Sequence, residues 1–251
     1  MSSHYDTYDY PSYWKGREYE HEAEIVALTS FLENIPKVET ILEVGAGFGR
    51  LTPSYINKAE KVILSDPSQK LLNIAMKKIK DKKVRFIISD IENLSTKVKA
   101  YSIDIIVVVR VLHHVKDLEK AFSIVSNLLK PGGYFILEFP NKIHMKAVLS
   151  EFVKGNLTFP LDIFTKDVPY MKTKPENRIH FVNYHPDYIL ELLKQKGFNI
   201  KKIKSVSNFR SPLLKRLFPK QVLVTLSKYT QDFFARFNFG PSIFILAKKV
   251  E

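Results

Sequence analysis

Three of the chain's nine glycines fall within Gly45 to Gly49, in the stretch EVGAGFGRL that follows the apolar run TILEV. Glycines at such spacing let a backbone turn bring its N–H groups against a ligand, and the N-terminus of a following helix adds a positive end. The nicotinamide and flavin pattern GxGxxG has its third glycine where this chain has Arg50, so the pattern here is GxGxG. Two carboxylates end the next two apolar runs, Asp66 in VILSDPS and Asp90 in FIISDIENL. Asp66 stands about twenty residues beyond the loop, where a carboxylate can accept from both hydroxyls of an adenosine ribose. Followed by Pro67, it can also cap a helix, and the two roles are compatible. Asp90 can accept from an adenine amine, with Ile91 offering an apolar side chain and a backbone N–H.

A second cluster follows the run IDIIVVV: Arg110, then His113 and His114 in RVLHH. Histidine titrates near neutrality and can take a proton from a hydroxyl or phenol, though a histidine at this place can equally be a structural hydrogen-bonding group. The chain has no cysteine, which excludes disulfides, a thiolate zinc site and a cysteine nucleophile. No metal ligand set is expected.

The elements that must position these groups are legible from periodicity. Between Glu39 and Phe139 the runs TILEV, KVILSD, VRFIIS, IDIIVVV and YFILEF alternate with helical segments, which is the pattern of βα units around a parallel sheet. In DLEKAFSIVSNLLK the apolar residues recur at three and four, Asp117 is placed as the N-cap and PGG as the stop. A helix is expected after the glycine loop, and another over Glu18 to Asn34. Pro186 and Gly197 bracket one more, and two last strands are placed near Ile200 to Ser207 and Ser242 to Lys248. The expected organisation is an N-terminal leader and helix over residues 1–38, then one domain over 39–251 with insertions at about 141–184 and 208–240.

Together the loop ILEVGAGFG with Glu43 two positions before its first glycine, Asp66, SDIENL, IDIIVVVRVLHHV and LLKPGGYFILEFPN resemble the class I S-adenosylmethionine-dependent methyltransferases, in their small-molecule branch. The resemblance implies an α/β, Rossmann-like, doubly wound sheet of about seven strands with the last antiparallel, and helical insertions forming a cap. It implies S-adenosylmethionine as cofactor, leaving as S-adenosylhomocysteine, held by Glu43, Gly45, Ala46, Gly47, Gly49, Asp66, Pro67, Asp90, Ile91 and Arg110. Arg110 departs from the pattern, since relatives more often carry a small or neutral residue there. By the same resemblance His113, with His114 beside it, is the candidate base, and Tyr13, Trp14, Arg17 and Tyr19 are candidates for a lid, with Arg17 able to pair with the methionine carboxylate. An alternative role for these aromatics is to anchor the leader.

Methyl transfer is an in-line displacement, so few residues need be catalytic. The absent cysteine argues against pyrimidine C5 methylation. RVLHH in place of an NPPY-like tetrapeptide argues against base or amide nitrogens. Phe152, Phe159, Phe164 and Tyr170, with the helical stripe from Val222 to Phe237, suggest a pocket with apolar walls and a lipid-like, quinone-like or aromatic acceptor, unless the stripe is simply core.

The net charge of +13 gathers toward the C-terminus, where from Ile200 onward eight Lys and three Arg face only Asp232 and Glu251. A solvated surface explains this. So would RNA held through Lys201, Lys202, Lys204, Arg210, Lys215, Arg216 and Lys220, or an anionic membrane surface met by these residues and the apolar helix. A cofactor-binding protein without transfer activity is a further alternative. With no signal peptide or membrane span in view, a cytoplasmic protein is expected.

Overall fold

The computed structural model describes residues 9–167 and 181–250; Pro169, Tyr170 and Pro175 lie outside the described residues. The apolar runs become β1 (Val38–Val44), β2 (Ala59–Asp66), β3 (Val84–Ile88), β4 (Ile103–Val108) and β5 (Leu129–Pro140). The short strands β6 (Lys166–Asp167) and β7 (Val182–Asn183) pair with each other apart from the main sheet, which is completed by β8 (Phe198–Val206) and β9 (Ser242–Lys249). The main sheet runs β3-β2-β1-β4-β5-β9-β8, with β9 antiparallel to both of its neighbours and β1 to β5 mutually parallel.

Helices cover both faces, which is why the central strands can be apolar on both sides. They are α1 (Tyr10–Tyr13), α2 (Glu18–Leu32), α3 (Gln69–Lys78), α4 (Leu118–Leu128), α5 (Met145–Val153), α6 (Pro186–Gln195), α7 (Pro212–Leu217) and α8 (Lys220–Ala235). Strand alternation divides the core. Ile41, Val62, Ile105 and Phe244 pack with α2 and with Leu223 of α8, whereas Leu42, Val108, Phe135 and Ile245 pack with α4 and α6. Strand order reverses between β1 and β4, so the loops leaving those two strands diverge and open a crevice at the sheet's C-terminal edge. The glycine loop and the segment Arg110 to His114 are those two loops.

Two local expectations fail for identifiable reasons. No α-helix follows the glycine loop; the chain makes short 3-10 turns at Thr52–Ser54 and Ile56–Lys58 before entering β2 at Ala59. Pro53 has no N–H to give, Ser54 Oγ turns back to the Leu51 carbonyl at 2.6 Å, and the Tyr55 hydroxyl is drawn down to Glu43. The positive charge beside the loop therefore comes from side chains, Arg50 and Arg110, rather than from a helix end. Nor does Asp66 cap α3: that role belongs to Ser68, whose Oγ accepts from Leu71 N at 3.2 Å.

Candidate active site

The glycine loop is shaped by its glycines at both ends and open in the middle. Gly45 and Gly49 hold φ values of 70° and 74°, and a Cβ there would meet Val111 Cγ2 at 2.2 Å or Ile79 Cδ1 at 2.5 Å. Gly47, at φ 55°, would meet nothing nearer than Leu71 Cδ1 at 3.8 Å and the Tyr10 ring at 3.9 Å. A ligand can therefore approach the backbone only there. Asp66 sits beneath, buried, with Oδ2 accepting from Gly47 N and Oδ1 from Ser68 N, both at 2.8 Å. Each carboxylate oxygen has a second lone pair, so this anchoring leaves acceptor capacity for a ribose. Asp90 is exposed at the end of β3 and caps the turn Ile91–Thr96 through Asn93 N at 2.9 Å. Pro67 is exposed, whereas the Ile91 side chain packs in the core.

Glu43 lines the loop from below, accepting from Thr52 Oγ1 at 3.2 Å and from the Tyr55 hydroxyl. Burial pushes its carboxyl up to about 7, more than those hydrogen bonds and Arg50 pull it down. Folding therefore raises this pKa from its ordinary 4.5, so the stability it contributes is full at low pH and is lost as pH rises through about 7. Glu43→Gln keeps an acceptor for both hydroxyls and removes the charge. Between about pH 5 and about pH 8 its stability relative to the wild type should improve by about 2 to 3 kcal/mol, as urea denaturation at the two pH values would show. A constant difference would mean that the carboxyl titrates normally.

Around the loop the leader is latched by one buried carboxylate. Glu24 of α2, fully buried, receives Arg50 at 2.6 Å and Arg110 at 2.5 Å on separate oxygens. Both guanidinium groups also lie against the Trp14 ring, 3.7 Å and 4.9 Å from its centroid. Burial alone would raise the Glu24 pKa, but the two arginines overcome it and the carboxyl is held below its ordinary value. Arg50 thus does more than replace a glycine. Trp14 continues into Phe48 and Leu71, with Tyr10 and Tyr13 packed beside them, so the leader lies across the loop. The space left at the loop is only about 30 Å³, and Tyr10 is one of its walls.

Arg110 has φ 59°, an uncommon backbone for a residue with a side chain, and its N–H donates to Glu138 Oε2 at 2.8 Å. It forms the wall shared by the loop and a second cavity of about 210 Å³. That cavity is also lined by Tyr13, Arg17, Glu20, His113, Glu138 and Asn141, and by His144, Phe181, Asn183, Ser207 and Arg210. A larger, open depression of about 660 Å³ lies at α4 and α6, around Lys116 to Lys120, and includes no residue of the glycine loop.

His113 is buried in the cavity wall, with its ring 4.0 Å from His114 and 4.3 Å from Phe181 and its Nδ1 without a partner. Burial, then the neighbouring His114 and Arg110, hold it neutral to well below its ordinary pKa. A histidine so biased accepts a hydrogen bond readily but has little appetite for a proton at neutral pH. His144 is likewise lowered, to about 4, by burial and by Arg210 and Lys146.

Several side chains lie elsewhere than expected. Tyr19 is not part of a lid: its hydroxyl bonds Ser227 Oγ at 2.8 Å and accepts from Phe209 N at 3.0 Å, pinning α2 to the second insertion. Phe152 and Phe164 are exposed, and Phe159 is buried beside Lys142 and Lys166, so none of the three walls the cavity. The apolar stripe of α8 does not reach it either. Glu24 and Ser207 were not singled out by sequence reasoning, and Arg210 was named only as a candidate RNA contact. Glu24 left a signal, since Glu20, Glu24, Ala27 and Phe31 share one helical face and a carboxylate on a buried face needs partners.

A reversed strand order, a glycine loop at the reversal and carboxylates ending the next two strands define a Rossmann-like domain for an adenosine-bearing cofactor. Residues 42–137 match the family model described as a methyltransferase domain. The chain is 32% identical, over 46% of its length and 42% of the relative's, to the Saccharomyces cerevisiae protein named "Probable S-adenosylmethionine-dependent methyltransferase CRG1". It is 27% identical to the ubiquinone/menaquinone biosynthesis C-methyltransferase UbiE of Francisella tularensis subsp. novicida, over 66% of this chain and 68% of that one. Its fold matches a Listeria monocytogenes protein described as an S-adenosylmethionine-dependent methyltransferase, with a TM-score of 0.64 and 17% identity, covering 94% of this chain and 100% of the other. The matched domain at residues 42–137, these relatives and the shared fold support a class I S-adenosylmethionine-dependent methyltransferase, and the chain spans less than half the length of the first of these relatives.

Proposed function

We propose that the chain transfers the methyl group of S-adenosylmethionine to a small acceptor that carries an anionic group and sits in the cavity beyond Arg110. The observation that supports this most is the charge balance of the cavity wall. Glu20 is taken by Lys215 at 2.6 Å, Arg110 by Glu24, and Glu138 by Arg110 N and by Ser242 Oγ at 2.5 Å. Among the described residues no carboxylate pairs with Arg17, which stacks on Tyr13 at 4.2 Å, or with Arg210. Arg210 is partly desolvated next to Arg110, so its charge is costly where it stands. An incoming carboxylate or phosphate would offset that cost and accept from a planar fork.

The loop residues fit the cofactor: Gly47 is open to it, and Glu43, Asp66 and Asp90 offer acceptors at three depths. Bound there, S-adenosylmethionine supplies an electrophilic methyl group on sulfur. The chain's own residues align and desolvate the acceptor. Neutral His113 accepts a hydrogen bond from it through a ring nitrogen, and Ser207 Oγ, buried without a partner, supplies another polar contact. In this reading His113 orients the acceptor and is not a strong base, with His114 packed against it.

An acceptor screen read by S-adenosylhomocysteine formation tests the proposal. Carboxylated or phosphorylated acceptors should be turned over in preference to their neutral analogues. Arg210→Ala should raise the acceptor KM about tenfold or more while leaving S-adenosylmethionine affinity unchanged. Equal use of neutral apolar acceptors would overturn the anionic assignment, and cofactor binding without turnover of any acceptor would favour a binding protein. Of the seven basic residues named for the RNA alternative, Lys202 and Lys204 pair with Asp232, Lys215 with Glu20 and Lys220 with Glu22, and Arg210 is in the cavity wall, so the anionic acceptor is the preferred reading.

A further inference from the structure

Helix α8 is built inside out. The face that packs against α2 and β8 buries Leu223 together with Ser227 and Gln231, and these two polar side chains bond to Tyr19 and to the Ala23 carbonyl. The outer face exposes Val222, Leu226, Tyr229, Phe233 and Phe237, spaced at three and four. Tyr229 is 75% exposed and Phe233 54%. A helix that folded only for this core would be expected to carry the reverse pattern.

Helix α5 repeats the feature. Met145, Leu149, Phe152 and Val153 occupy one helical face and all are exposed, and Leu161 and Phe164 follow at 79% each. Helix α7 adds Leu213, Leu217 and Phe218. The start of α5 lies beside the chain that leaves α8, where Met145 N donates to the Phe239 carbonyl at 3.1 Å and Asn141 Nδ2 to the Asn238 carbonyl at 2.7 Å. Scattered apolar side chains on a surface need no explanation, but exposed apolar rows at helical spacing on α5 and α8, with more on α7, do.

The charges among these rows have one sign to spare. Lys146, Arg216, Lys228 and Arg236 are exposed and make no ion pair among the described residues, whereas Glu151 is engaged by Lys154 and Lys166 and Asp232 by Lys202 and Lys204. Apolar and aromatic rows bordered by free Lys and Arg match the acyl boundary and the headgroups of an anionic bilayer, and no described helix is long and apolar enough to cross a membrane. We infer that α5, α7 and α8 dock this chain on an anionic membrane surface. The inference does not depend on the acceptor proposed above.

Co-sedimentation with vesicles of phosphatidylcholine, with and without phosphatidylglycerol, tests it. The chain should sediment with the anionic vesicles, less so with neutral ones, and less again as salt rises. Phe152→Ser combined with Phe233→Ser should lower partitioning by about tenfold or more, with circular dichroism and S-adenosylmethionine affinity unchanged because both side chains are exposed and outside the site. No sedimentation with either vesicle would overturn the inference. So would sedimentation unaffected by the double substitution, binding to polyuridylate RNA in place of vesicles, or a dimer in ultracentrifugation that the same substitutions dissolve while vesicles bind nothing.

Discussion

Glu24→Ala is expected to cost about 3 to 5 kcal/mol of stability, since it leaves two half-buried guanidinium groups side by side with no counter-charge between them. Arg50 and Arg110 are both directed to the same carboxylate and both rest on Trp14, so the damage should spread to the leader. Chemical denaturation measures the loss, and hydrogen exchange in α1 should quicken in parallel. Glu24→Gln, which keeps the shape and part of the hydrogen bonding, should lie between the wild type and Ala. The sign with pH follows from the depressed pKa: the stabilisation is present above the ordinary carboxylate value and is lost as pH falls through the lower folded value. A loss within the range of an ordinary surface substitution would mean that the arginines find water or other partners, and that the leader is not held by this carboxylate.

The second large effect is on the cofactor. Asp66→Ala should weaken S-adenosylmethionine binding by about a hundredfold or more, because hydrogen bonds from two ribose hydroxyls to a charged acceptor contribute about 1.5 to 3 kcal/mol each. The same substitution removes the acceptors for Gly47 N and Ser68 N, so the loop itself loses an anchor. Asp66→Asn separates the two contributions, since its single carbonyl oxygen can serve one side or the other but carries no charge. Calorimetric titration of the two variants with S-adenosylmethionine and S-adenosylhomocysteine reads both predictions. Unchanged affinity for the sulfur ligands would return Asp66 to a purely structural role.

The parts of the site that lie along one strand end were legible because their geometry is local. Gly45, Gly47 and Gly49 can be read from spacing, as each takes a positive φ within a few residues of β1. Asp66 and Asp90 follow from the rule that carboxylates ending consecutive parallel strands share one edge. The acceptor cavity obeys no such rule. Arg17, Arg110, His144, Ser207 and Arg210 come from four separate stretches of chain and meet only when the N-terminal segment, the β4 and β5 loops and the β8 end converge. The apolar stripe of α8 misled for a related reason: periodicity shows that a helix has an apolar face, but not which side of it packs.

The sequence by itself determined the parallel sheet, its crossover helices and the glycine turn, because strand propensity, helical periodicity and the need for positive φ are properties of short segments. It also carried the resemblance that named the cofactor. Only the tertiary structure decided that Glu24 latches two arginines over the loop, that His113 is held neutral, that the cavity's spare charge is positive, and that α8 turns its phenylalanines outward. Each of these depends on burial or on a partner distant in the chain. Desolvation and charge pairing arise only when such segments meet, so no local pattern could encode them.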